Sequence, residues 1–152
     1  MASESAWLTT DQQELAGVLL ESHQRAFSRP LIATDQPGHS KRLICQNLFA
    51  CGFPVLAHGT EQDPELSYAN AAALQLWDSH WDELIGMPSR LTAPETERAE
   101  RSNALGQAQR LDAVQNYRGI RISRKGRRFT INKARIWTCL LYTSPSPRDQ
   151  LT

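Results

Sequence analysis

Residues 63–74 read Asp-Pro-Glu-Leu-Ser-Tyr-Ala-Asn-Ala-Ala-Ala-Leu, and residues 81–92 read Trp-Asp-Glu-Leu-Ile-Gly-Met-Pro-Ser-Arg-Leu-Thr. Gln62 to Glu65 is a turn, because proline presets φ and aspartate bonds to its own backbone. Leu66 to Ala69 is then a short strand. Asn70 is placed to cap the helix that follows, AAALQLWD, since its side-chain oxygen accepts from a first-turn amide. Ser79 is placed to cap a second short helix, HWDELIG, which Gly86 ends. A strand that passes into two short capped helices fixes the texture of the middle of the chain.

Toward the C-terminus, Pro94 stands at a helix start, where its missing N–H costs nothing. Glu95 to Arg110 reads as a polar helix with Ala99, Leu105 and Ala108 as its buried contacts. Two strands follow, Ala113–Ser123 and Arg127–Thr138, joined by Arg124-Lys125-Gly126, where glycine suits the positive φ of a hairpin turn. Phe129 and Ile131 share one face of the last strand, whereas Ala134 and Ile136 fall on the other. A bulge near Asn132-Lys133 reconciles them. Toward the N-terminus, Phe53–His58 is a short apolar strand, and Ser40 to Ala50 is a helix carrying Leu43, Ile44, Leu48 and Phe49. Gly52 suits the left-handed position after it. Asp35 to Gly38 is a turn. Asp11 to Ser28 is the first helix, with Thr10 and Gln13 as a capping box and Pro30 past its end. Leu8, Leu15, Val18, Leu19, Ala26 and Phe27 form its apolar stripe.

The runs 63–74 and 81–92, with Trp77 between them, resemble PAS domains, and more closely the MEKHLA family of PAS-like domains. Asn116–Ser123 with Gly126 resembles the late hairpin of the same family. The resemblance covers residues 53–138, and MEKHLA-like proteins also lead with helices like those of residues 10–52. It implies an α+β fold: a PAS-like antiparallel sheet with helices on one face. Four of its five strands are present. The division expected is an N-terminal helical extension (1–52), an incomplete MEKHLA core (53–138) and a tail (139–152). That tail reads CLLYTSPSPRDQLT. Its first eleven residues resemble a translated short-read sequencing adaptor, so the native chain is expected to be truncated near Thr138. A disordered Ser-Pro tail is the other reading. Loss of the fifth strand is expected to leave Arg127–Thr138 with an open edge and the chain unstable or prone to aggregate.

In function, the resemblance implies a bacterial, non-catalytic sensory or interaction module that works by population shift. The stripe on the first helix implies a homodimer through that helix. Haem-binding PAS domains carry their histidine in the helix before the late hairpin, and Pro94–Gln115 has none. Flavin photoreceptors need a cysteine in the middle helices, and Cys45 and Cys51 precede them. No cofactor is therefore expected. A small enzyme or ligand carrier on an α+β cone, with a cavity under the sheet, is the alternative, with Asp78 and His80 as its nominated groups.

The whole-chain numbers agree with a soluble domain. The 152 residues are 40% hydrophobic and 22% charged, with a net charge of +1. No apolar run approaches the roughly 18–20 residues of a membrane span, and the first residues lack the basic and apolar regions of a secretory signal. Three cysteines without a CxxC suit a reducing cytoplasm. There is no P-loop, GxGxxG, GxSxG or HExxH, and no histidine stands at zinc-ligand spacing from a cysteine. No metal is expected.

Two clusters are the candidate sites. Tyr68, Trp77, Trp81 and Tyr117 lie in segments that flank the cavity of the resembled family, and Leu84 and Met87 lie beside them. They form either an apolar pocket for a small organic ligand, with Tyr117 and an indole as polar handles, or a filled core. The second cluster is electrostatic. Residues 113–138 hold eight basic and no acidic residues, whereas residues 1–112 hold eight basic against fifteen acidic, a net −7. Arg118, Arg121, Arg124, Lys125, Arg127 and Arg128 are read as a patch for an anionic partner, or else as a solvated edge that discourages strand pairing. Base-stacking aromatics are sparse there, so nucleic acid is not the expected partner.

Overall fold

The computed structural model describes residues 5–33 and 40–139. The Asp35–Gly38 turn and residues 140–152 of the tail lie outside the described residues. A helical turn at Ala6–Leu8 leads into α1 (Thr10–Phe27). Its cap is Thr9, not Thr10: the Thr9 hydroxyl accepts from the Gln12 amide at 3.3 Å, and the Gln13 side chain donates back to the Leu8 carbonyl at 3.0 Å. Ser28 stops the helix in the left-handed conformation, two residues before Pro30. α2 (Lys41–Ala50) is capped by Ser40, which accepts from Leu43 N at 3.0 Å. Gly52 is not the left-handed cap. Cys51 leaves α2 in extended conformation, and the positive-φ glycines are Gly86 and Gly126.

β1 (Leu56–His58) and β2 (Leu66–Ala69) form an antiparallel ladder. β1 is shorter than expected because Phe53 and Val55 bond to Asn70 rather than to a strand. Asn70 caps α3 (Ala71–Leu76), accepting from Ala73 N at 3.1 Å. α4 (Trp81–Leu84) starts from His80, not Ser79. The Glu83 carboxylate accepts from His80 N at 2.8 Å, whereas the Ser79 hydroxyl turns back to the Trp77 carbonyl at 3.0 Å. Two helical turns, Ser89–Thr92 and Glu95–Glu97, precede α5 (Arg98–Leu111). α5 buries Arg101, Ala104 and Ala108, while Ala99 is exposed and Leu105 half-buried.

β3 (Ala113–Ile122) and β4 (Arg128–Trp137) make a second antiparallel ladder, turning at Gly126 with φ 88°. The expected bulge is present: Gly119 pairs Ile131 and Tyr117 pairs Ala134, so β4 carries the extra residue at Asn132-Lys133, with Lys133 at φ 54°. A second bulge was not anticipated. Val114 pairs Ile136, so β3 carries an extra residue at Gln115-Asn116, with Asn116 at φ 58°. Among the described residues the four strands hydrogen-bond as two separate hairpins, not as one continuous sheet.

Two apolar clusters hold these elements together. One joins Leu8, Ala16, Leu19 and Leu20 to Cys45, Leu48, Val55 and Tyr68. The other joins Leu66, Ala69, Ala73, Trp77 and Leu84, with Phe129 against it. The leading helices and β2 thus share one core. The stripe of α1, read as a surface for a second copy, is turned inward: Leu8 and Leu19 are buried, and Leu15 and Phe27 are half-buried against this chain.

Candidate functional site

The six aromatic and apolar site residues fall in three places. Tyr68 is fully buried in the first cluster, edge to face with Trp81 at 6.0 Å between ring centroids. Burial pushes its hydroxyl pKa up, and that hydroxyl has no hydrogen-bond partner. Trp77, Leu84 and Met87 are in the second cluster. There the Trp77 ring meets Phe129 edge to face at 5.1 Å, and its indole N–H donates to the Thr92 carbonyl at 3.3 Å. Tyr117 is brought to neither. It lies under α5, its hydroxyl donating to the Glu100 carboxylate at 2.7 Å.

Around Tyr117 the inward row of β3 is polar. Tyr117, Gly119, Arg121 and Ser123 alternate toward the molecule's interior, and all four are buried. Arg121 Nη2 donates to the Tyr117 hydroxyl at 3.3 Å. From α5, Arg101 donates to the Ser89 hydroxyl, which also meets His58 Nδ1 at 2.8 Å. Burial, and then the charge of Arg121, hold the Arg101 guanidinium down to about 10. Burial, and then the charge of Arg101, hold His58 below its ordinary value. Burial, with the Glu100 bond next, raises Tyr117. On the far side of Tyr117 is an open depression of about 340 Å³, lined also by Glu100, Asn103, Ala104, Gln107 and Arg110. Sequence reading placed Arg121 in a surface patch and did not single out Arg101, Ser89 or His58. The strict alternation of residues 117, 119, 121 and 123 was the available signal for Arg121.

The basic patch is therefore smaller than expected. Arg118, Arg124, Lys125 and Arg128 are exposed, but Arg121 is buried. Arg127 is engaged at the end of α3: it donates to the Leu76 carbonyl at 2.6 Å and pairs with Asp78 at 3.5 Å. Arg124 N adds a bond to the Trp77 carbonyl at 3.0 Å. The hairpin tip satisfies carbonyls that a helix end leaves open, with positive charge where the helix dipole favours it. Asp78, nominated for the cone-fold enzyme, is spent on Arg127, and His80 is an exposed helix cap. Neither lines the depression beside Tyr117.

The three cysteines lie in α2, at its end and beyond β4, and α3 to α5 contain none. A cysteinyl flavin adduct has no thiol in the middle helices, so the residues present do not fit that chemistry. Burial raises the pKa of Cys45 and of Cys139, away from the reactive thiolate. No group of three metal-ligating side chains occurs among the described residues, and no helix there is long and apolar enough to cross a membrane.

Known proteins bear on this arrangement in three ways. No curated protein sequence matches the chain. An RNA-binding Light-Oxygen-Voltage receptor superposes with a TM-score of 0.56 at 19% identity, over 68% of this chain and 30% of that one. The chain thus spans under a third of the receptor's length. A fungal LOV domain photoreceptor gives 0.47 at 21% identity, over 80% and 78% of the two chains. The photo-excited blue-light photoreceptor Vivid gives 0.45 at 17%, over 74% and 78%. The likeness to the receptor shows the fold, α+β and PAS-like. The MEKHLA domain model matches residues 13–143, both leading helices and both hairpins included, and on that match the chain belongs to the MEKHLA domain family.

Proposed function

We propose that this chain is a non-catalytic sensory module of a cytoplasmic signalling or regulatory protein, in which a small ligand shifts the β3–β4 hairpin and the leading helix together. One observation carries the reading: α1 is bonded to both hairpins. Gln12 donates to the Ser67 carbonyl of β2 at 3.4 Å. At the other end the Trp137 indole donates to the Ser22 hydroxyl at 2.9 Å, and Arg135 lies 3.0 Å from His23 Nε2. A displacement of β4 is thereby passed to α1, the coupling between two elements that a population shift needs to be read out. The basic tip supports no nucleic-acid reading, because Arg121 is buried, Arg127 is engaged with α3, and no aromatic side chain is exposed among the remaining cations.

The test is native mass spectrometry of the purified full chain, followed by hydrogen exchange before and after stripping any retained molecule. The expected result is a retained small molecule whose removal speeds exchange in β3–β4 and α1 together. A chain in which nothing is retained, and in which α1 and the hairpin exchange independently, overturns the reading.

A further inference from the structure

Two arginines are buried here without a carboxylate. Arg101 is 9% exposed and Arg121 6%. Neither takes part in an ion pair among the described residues. Their hydrogen-bond partners are neutral oxygens: the Ser89 hydroxyl for Arg101, and the Ile120 carbonyl and Tyr117 hydroxyl for Arg121. Arg101 Nε and Nη1 and Arg121 Nε have no protein partner among the described residues and are not sealed from solvent, so they are open to a ligand, and a guanidinium does not shed its proton to escape burial. The Glu100 carboxylate reaches Arg121 only through the intervening Tyr117 hydroxyl. Burying a cation without a counter-ion is costly, and here two are held largely out of water on elements that pack together, Arg101 on α5 and Arg121 on β3. His58 stands on the same Ser89 hydroxyl as Arg101 and adds a third nitrogen donor when protonated. The backbone makes room for the pair. A Cβ on Gly119 would lie 2.8 Å from Tyr117 Cζ and 2.9 Å from Arg121 Nη1, so any larger residue there would push those two side-chain ends aside.

Resting on the sensory reading above, and naming its ligand class, we propose that Arg101 and Arg121, with His58 and Tyr117 beside them, form an interior site for the oxyanion group of a small molecule, a carboxylate or a phosphate. The guanidinium fork matches both groups bidentately. Tyr117 separates the arginines from the open depression under α5, so the Tyr117–Glu100 bond is the contact that must break for entry.

The experiment is calorimetric titration of the full chain with inorganic phosphate and with succinate, at ionic strength fixed with sodium chloride. Thermal unfolding is followed in the same solutions. The expected result is saturable binding of one of the two, a midpoint that rises with its concentration, and at least tenfold weaker binding in R101Q and in R121Q. R29Q, at an exposed position just past the end of α1, binds as the parent does. Preference for phosphate or for succinate identifies the headgroup. If the glutamine variants unfold, R101K and R121K retain charge without the fork and are expected to weaken binding as well. Failure of both anions to bind the folded parent chain overturns the site, as does binding that the substitutions at Arg101 and Arg121 leave unchanged. A neutral molecule retained in mass spectrometry, with α1 and the hairpin responding to it, overturns the site and leaves the sensory reading standing. Phosphate or succinate that binds without altering exchange in α1 does the reverse.

Discussion

Asn70 is fully buried, and its side chain has five polar groups within hydrogen-bond reach. Its oxygen accepts from Val55 N and Ala73 N, and the two N–H groups of its amide are shared among the Phe53 and Leu48 carbonyls and Cys51 Sγ. Asn70→Ala leaves several of those groups unsatisfied in the interior, so a loss of about 3 kcal/mol is expected in chemical denaturation. Tyr68 is the opposite case. Its hydroxyl is buried without a partner, and Tyr68→Phe is expected to raise stability by about 1 kcal/mol. His58 gives the pH dependence. Burial first, and Arg101 second, lower its pKa in the folded state, so the unfolded chain takes up the proton first as pH falls through 6.5. Stability is therefore expected to drop as pH falls through 6.5 toward the lower folded-state pKa, and His58→Gln to flatten that part of the profile in denaturation series. Asn70 was legible because asparagine before an alanine run has one common use. Arg101 was not, because an arginine on a polar helix normally faces water, and only the polar row of β3 packed against α5 draws it inside.

Among elements, the β3–β4 hairpin shows how phase is read and missed. The apolar pattern of β4 breaks visibly, two residues before Asn132-Lys133 and two after, so the bulge was readable. β3 offers the same break with one residue on each side, Val114 and Tyr117, and that is too little to stand out from a regular alternation. The bulge lets Phe129 face α3 while Arg135 and Trp137 face α1. Lys133 holds a left-handed conformation that glycine adopts without a Cβ penalty. Lys133→Gly is expected to raise the unfolding free energy by about 0.5–1 kcal/mol and Lys133→Val to lower it by about 1 kcal/mol or more, both read from thermal melts. At the tip, Arg127→Ala removes a half-exposed ion pair and a bond to Leu76. Solvent screening keeps the expected loss near 1 kcal/mol.

Over the whole molecule, the fold class and element order were legible, and the assembly of the elements was not. An amphipathic stripe states that a helix buries one face, and it is silent about what lies opposite. For α1 the opposite surface is α2, β2 and the far end of β4. The Ser22–Trp137 bond joins residues 115 apart. That span has a consequence for how the protein is made. A ribosome adding about 5–20 residues each second finishes α1 on the order of ten seconds before Trp137 exists. During that interval α1 has α2 for company and nothing against its Ser22–Phe27 end. The nascent chain thus passes through a stage in which the first helix is half housed, and the indole of Trp137, arriving late, closes the account of a helix translated long before it.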